Sequence, residues 1–347
     1  TIRLRNGTRE EEGRITMKGI SVSDIRNFAL MGHTGSGKTT LVDALLFKLG
    51  LNDRLGSVDS GSSMADTSEQ EQSRKISITA KPFSGTYKTS GGRQVGLQFI
   101  DTPGYMDFFG QVVAATAATD CALVAVDAAS GIQVGTQRAW RHCETQGVSA
   151  RAIVITGIDK DNTDYKATLS SIQSTFGNGC VPVVLPKADA SGVVDVLADG
   201  ADAGELADEV AEAKNGLVEL AAETDDALIE KFLGGEELTA DEIAVGLRQA
   251  VATGGLIPVF ATVAPRDVGV SELIEGAARL FPSPEEHGVE DKEGNAIDTA
   301  PGAPFVGQVW RAINDPFVGQ LSFVRVFGGT LKSDAEVSNS TRGANEK

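Results

Sequence analysis

The chain has 347 residues, 41% of them hydrophobic, which is enough for about two or three domains with a sizeable core. Its three cysteines (Cys121, Cys143 and Cys180) are too few and too scattered for a disulfide framework or a zinc cluster, and no run of 18 apolar residues or signal-like start suggests a membrane span or secretion. The net charge of −17 is concentrated: residues 199–245 hold 15 acids against Lys214 and Lys231, a net of −13, which repels nucleic-acid phosphates and suits either a solvated surface or a basic protein partner.

Residues 1–23 are polar and charged, the pattern of an arm or an edge strand. From Asp24 onward, strand-like apolar runs alternate with helical stretches. IRNFALMG (Ile25–Gly32) leads into TTLVDALLFKL, followed by QVGLQFID (Gln94–Asp101), CALVAVDA (Cys121–Ala128) and ARAIVITG (Ala150–Gly157). Such alternation specifies an α/β fold with a mostly parallel sheet covered by helices, here over residues 24–284. A short strand, VPVVLP, follows Cys180. An acidic segment, about 187–255, then interrupts as an inserted subdomain. It is expected to be helical over Glu205–Leu233, and Thr239 and Glu242 fit a capping box that opens a second helix ended by Gly254-Gly255. The sheet pattern resumes with LIPVFATV, and a helix is expected near Glu272–Leu280. Residues 285–303 read as a Pro/Gly/acid-rich linker, and 304–347 as the first strands of an all-β domain, too short to close a barrel.

The chemistry concentrates at the ends of these strands. GHTGSGKT (Gly32–Thr39) matches G-x-x-x-x-G-K-[ST] between a strand and a helix, the context that makes the motif a phosphate cradle. Its glycines turn backbone N–H groups inward, so His33, Thr34, Gly35, Ser36, Gly37 and, on the first helical turn, Thr40 are expected to line a nucleotide. Lys38 supplies positive charge to the β- and γ-phosphates, and Thr39 offers a hydroxyl to Mg²⁺. Asp101 ends a strand 62 residues later, where a second carboxylate near the metal belongs. Gly104 follows Pro103, and its N–H can approach a γ-phosphate without a side chain intervening; the plain alternative is a Pro-Gly turn. Asp159, after the strand of IVITGIDK, can accept two N–H bonds from a guanine edge, whereas adenine would present an unprotonated ring nitrogen. One aspartate after a strand signals little without the other motifs.

Together these motifs resemble the translational GTPases, specifically the elongation factor G family. MADTSEQEQSRKISIT (Met64–Thr79) resembles its first switch, LVELAAETDDALIEKFLGGEELTADEI (Leu217–Ile243) its inserted subdomain, and PFVGQVWRAINDPFVGQLSFVRVFGGTL (Pro304–Leu331) the start of its β-barrel second domain. The resemblance implies a P-loop GTPase domain and an N-terminal fragment of such a factor. It also implies GTP/GDP and Mg²⁺ as cofactors, with Thr39, Ser77 (in place of the switch threonine) and Asp101 at the metal and Asp159 reading guanine. Lys38, Gly104 and Tyr105 would serve the chemical step. The implied partner is the ribosome, through its factor-binding site and stalk protein, with no membrane or DNA partner, a cytoplasmic setting and a monomeric state.

The departures gather in the site. Thr34 and Gly35 replace an apolar residue and an aspartate, Lys75 replaces a glycine, and Thr156 and Gly157 replace the Asn and Lys before the guanine-reading aspartate. Thr262-Val263-Ala264 stands where Gly-Ser-Ala would brace the base, and Tyr105 replaces the water-orienting histidine. These changes resemble the elongation-factor-G-like paralogues. The function implied is ribosome-stimulated GTP hydrolysis coupled to translocation; a recycling, rescue or release GTPase and a slowly hydrolysing GTP sensor are the alternatives.

Overall fold

The computed structural model describes residue 17 and residues 19–346, apart from 199, 201, 292 and 316–318. Most of the expected N-terminal arm, and Asp199 at the head of the acidic segment, lie outside the described residues. The chain divides into two units, one ending at Ser283 and one beginning at Pro284.

The first unit is built on a seven-stranded sheet. In chain order its elements are β1 (Ile25–Gly32), α1 (Lys38–Lys48), α2 (Glu69–Arg74), β2 (Lys81–Lys88), β3 (Gln94–Asp101), α3 (Phe109–Thr116), β4 (Cys121–Asp127), α4 (Val134–Thr145), β5 (Arg151–Thr156), α5 (Tyr165–Phe176), β6 (Cys180–Pro182), β7 (Val184–Pro186), β8 (Val193–Asp195), α6 (Ala207–Ala222), α7 (Asp226–Leu233), α8 (Ala240–Thr253), β9 (Ile257–Thr262) and α9 (Val270–Leu280). The sheet order is β2-β3-β1-β4-β5-β9-β6, all parallel except the edge strand β2, which runs antiparallel to β3. β4 and β9 are buried along their whole length, which is why CALVAVD and IPVFAT read as unbroken apolar runs. Helices cover both faces over two apolar clusters. In one, Phe28 stacks on Phe99 at 5.7 Å and meets Phe281 edge-on at 5.6 Å. Leu30 lies opposite Asp101, and Asp127 and Thr262 flank Thr156, so the carboxyl ends of β1, β3, β4, β5 and β9 open on one edge.

The inserted subdomain comprises the β7–β8 hairpin and α6–α8. The helical run expected over Glu205–Leu233 is broken after Ala222. The Asp225 side chain accepts the N–H groups of Ala227 and Leu228 and starts a new helix there. The Thr239–Glu242 capping box forms, and Glu242 also pairs with Lys231 at 2.8 Å; α8 stops at Gly254, whose φ is +82°. Along α7 no residue is buried, and Leu233 is 77% exposed.

The second unit holds α10 (Pro284–His287) at the head of the expected linker, the antiparallel pair β10 (Val306–Asp315) and β11 (Gly319–Gly328), and the hairpin of β12 (Val337–Asn339) and β13 (Ala344–Glu346). These antiparallel strands fit the start of a β barrel. No helix among the described residues is long and apolar enough to cross a membrane.

Candidate functional site

The loop between β1 and α1 turns on Gly35 (φ +74°) and Gly37 (φ +76°), left-handed positions that favour glycine. Lys38 begins α1 and folds back under this loop, its ammonium donating to the carbonyls of His33 at 2.7 Å and Gly32 at 3.1 Å. Burial draws that ammonium down to about 8, against the pull of Asp101. His33 accepts the Gly135 N–H on Nδ1, and its imidazole is lowered by burial and then by Lys38. Thr34, Gly35 and Thr40 reach solvent; Ser36 is buried.

The three expected metal ligands meet. Thr39 Oγ1 lies 2.9 Å from Ser77 Oγ and donates to Asp101 Oδ2 at 3.2 Å. Asp101 is 1% exposed, and its Oδ1 is buried without a hydrogen-bond partner. Burial pushes its carboxyl up to about 7, opposed by Lys38 and Lys81. A buried carboxylate oxygen with no donor, beside two hydroxyls, is a donor set suited to a hard cation. No cluster of three or more His, Cys, Asp or Glu with metal-holding geometry occurs among the described residues.

The turn after β3 closes over the loop. Thr102 donates its hydroxyl to Leu30 O and fixes the turn to β1. A Cβ on Gly104 would stand 2.6 Å from Thr34 N and 2.7 Å from Lys38 Nζ, so only glycine permits this approach. Tyr105 is 41% exposed, and its hydroxyl has no hydrogen-bond partner among the described residues.

The end expected to read the base is looser. Thr156 donates its hydroxyl to Ser36 O at 3.0 Å, tying β5 to the phosphate loop. Asp159 faces Arg266 across 3.9 Å, a long and solvated pairing. The Val263 side chain is fully buried among Ile155, Ala261 and their neighbours, and its N–H bonds Val268 O, so it presents no side chain to a ligand.

Sequence reasoning missed the polar hub beneath the 64–79 segment. Asp66 accepts the Ser77 hydroxyl at 2.9 Å. Glu71, 1% exposed, takes Lys81 Nζ at 2.6 Å, the N–H groups of Ile78 and Thr79, and the Ser68 backbone and hydroxyl in a capping box. Burial alone would raise Glu71; Lys81 and the backbone donors hold it down at about 2. The S-x-x-E spacing of Ser68 and Glu71 was the available signal. An open groove of about 390 Å³ between α3 and α4, lined by Phe109, Val134, Arg138, Arg141 and His142, holds none of the expected nucleotide-binding residues.

Residues 23–283 match the sequence family described as the elongation factor Tu GTP binding domain. An "Elongation factor G-like protein" of Mycobacterium tuberculosis, in strains CDC 1551 and H37Rv, is 36% identical over 336 residues, covering 90% of this chain and 46% of that protein. A crystal structure of a Thermus thermophilus protein superposes with a TM-score of 0.80 at 32% identity, covering 92% of this chain and 47% of that one. The chain thus spans about half the length of the curated relatives it matches.

Proposed function

The chain belongs to the elongation factor Tu GTP-binding-domain family, the translational GTPases, and from that membership we propose that it binds GTP with Mg²⁺ and hydrolyses it to GDP and phosphate on the ribosome, in a step coupled to translocation. The observation that carries this reading is the convergence of Thr39, Ser77 and Asp101 beside the buried Lys38 ammonium, with Asp101 Oδ1 left without a donor.

Thr39, Ser77 and Asp101 are the residues that would hold Mg²⁺. Bound there, the metal neutralises charge on the β- and γ-phosphate oxygens. Lys38 adds a fixed positive charge already desolvated by burial, and the Gly104 N–H, on a residue packed against Thr34 and Lys38, would donate to the γ-phosphate. Tyr105 donates one hydrogen bond from its phenolic hydroxyl to the attacking water. Asp159 selects guanine by accepting from its N1–H and amino group, leaving Arg266 to do so. Ser77, bonded to Thr39 and Asp66, would keep the 64–79 segment beside the phosphates, and loss of the γ-phosphate on hydrolysis would loosen that segment. The acidic insert offers carboxylates and the exposed Phe232 and Leu233 to a basic ribosomal protein. The setting is cytoplasmic and the protein acts as a monomer.

The test is a nucleotide titration with and without Mg²⁺. GDP and GTP are expected to bind at least tenfold tighter than ADP and ATP, about 1.4 kcal/mol, and Asp159→Asn is expected to move the preference toward xanthine nucleotides. Equal GTP and ATP affinity removes the guanine reading. Single-turnover hydrolysis with and without ribosomes then separates a ribosome-stimulated enzyme from a nucleotide sensor.

A further inference from the structure

Thr156, at the end of β5, is followed by Gly157, whose φ is +64°. A Cβ on Gly157 would lie 2.8 Å from Lys160 Cε, 3.1 Å from Lys160 Cδ and 3.0 Å from Asp127 Oδ2. The methylene stem of Lys160 therefore occupies the space a side chain at position 157 would take. The Lys160 ammonium pairs with Asp127, the last residue of β4, which is 5% exposed and whose other oxygen accepts the Ser130 N–H at 3.0 Å. Asp127 in turn borders a water-sized cavity of about 10 Å³ against the phosphate loop at His33–Ser36.

Lys160 is thus fixed at both ends, its backbone N–H bonding Gly157 O at 3.2 Å and its ammonium held across the carboxyl ends of adjacent strands. Ordering a lysine side chain is entropically unfavourable, and an ion pair with one half-exposed partner stabilises little, so stability alone gives weak reason for this arrangement. Half the side chain remains open to solvent, one residue after Asp159. A pinned, half-exposed aliphatic stem beside a carboxylate that can accept from a purine edge is a wall for the face of that purine.

We propose that Lys160 is a base-positioning residue, its stem held by Asp127 as the surface on which the purine of the bound nucleotide lies, in the space that Gly157 leaves free. This rests on the nucleotide site described above. The purine gains contact area on Lys160, whereas the choice of guanine stays with Asp159. Lys160 therefore contributes affinity for any purine nucleotide, and Asp127 contributes by keeping the stem in place.

The experiment is calorimetric titration of the whole chain with GDP, ADP and inorganic tripolyphosphate, comparing wild type with Lys160→Ala and Lys160→Arg. Lys160→Ala is expected to weaken GDP roughly tenfold, the scale of losing one stacking surface, and to leave tripolyphosphate unchanged, since it has no base. Lys160→Arg, which keeps a stem and a cation for Asp127, is expected to stay within about threefold of wild type, under 1 kcal/mol. Unaltered GDP affinity in Lys160→Ala overturns the proposal, as does an equal loss for GDP and tripolyphosphate, which would place the lysine's effect on the phosphates or the fold. The guanine reading fails separately: wild type binding GDP and ADP equally removes Asp159's role, while a parallel loss of both in Lys160→Ala still supports the stacking wall.

Discussion

Lys81 and Glu71 form a buried ion pair, Nζ to Oε1 2.6 Å, that joins the start of β2 to α2. Glu71 is 1% exposed and collects donors from Ser68, Ile78 and Thr79 as well as Lys81. One carboxylate thus organises the segment carrying Ser77. Removing a single partner leaves an uncompensated buried charge, so Glu71→Gln is expected to cost about 3 kcal/mol of local stability. Hydrogen exchange at Ile78 and Thr79 should rise accordingly. The paired Glu71→Leu, Lys81→Met change should cost far less, because no charge is left behind. The sign with pH follows from Glu71 being held at about 2 in the fold. Its contribution is fully present above the ordinary glutamate value of about 4.3 and is lost as pH falls toward 2. Exchange at the two amides that stays flat from pH 5 to pH 3, after correction for intrinsic rates, would refute this.

Lys75 closes α2 in the left-handed region, with φ +53° and ψ +42°, and its N–H reaches back to Glu71 O. A residue with a Cβ is disfavoured there by roughly 1 kcal/mol, which is why such helix ends favour glycine. Lys75→Gly is expected to slow exchange of the Ile76 N–H, also bonded to Glu71 O, by about two- to fivefold. Lys75→Ala keeps the Cβ and should leave it unchanged. Equal rates for glycine and alanine would show that the lysine conformation carries no strain.

The strands were legible because apolar run length and period report burial directly. IRNFALMG coincides with β1, and GHTGSGKT falls on the turn between β1 and α1. The Thr39–Asp101 meeting was legible because both sit at fixed points of an alternating fold. The Asp66–Glu71–Lys81 hub was not, since its members lie in a polar stretch without period and become neighbours only when α2 docks beside β2. β2 itself, KPFSGTYK, is a half-buried edge strand with weak alternation. Val263 read as a nucleotide contact by analogy of position, but one residue past β9 its side chain is buried in the core. Lys160 gave no signal, because its significance arises from Gly157 and Asp127 together.

The acidic insert permits a charge test that spares its folding. Asp225 caps α7 and Glu242 completes the cap of α8, so reversing either would also unravel a helix end. Glu219, Glu223 and Glu230 are exposed and have no such role. Changing these three to lysine alters net charge by six and is expected to slow association with ribosomes about tenfold at low salt, with nucleotide affinity unaltered. Association that ignores both the reversal and added salt would mark these acids as a solvated surface.

Tyr105 stands one residue beyond Gly104, which itself rests against Thr34 and Lys38. The phenol is 41% exposed, so bound nucleotide and water can reach it. If the hydroxyl orients the attacking water, Tyr105→Phe should slow single-turnover GTP hydrolysis on ribosomes by about 10²-fold, the usual consequence of losing one well-placed donor. GTP affinity should hold, since the proposed phosphate contacts are Lys38, Thr39 and the loop amides. Equal rates for tyrosine and phenylalanine would mean that the ring packs and the water is held elsewhere. Tyr105→His gives the complementary measurement. An imidazole, with a pKa near 6.5, can carry positive charge into the site where a phenol cannot. A faster histidine variant would identify a site tuned for slow turnover and a long-lived GTP state. A slower one would mean that the loop carrying Thr34 and Gly35 is shaped to the tyrosine, since Thr34 stands against Gly104.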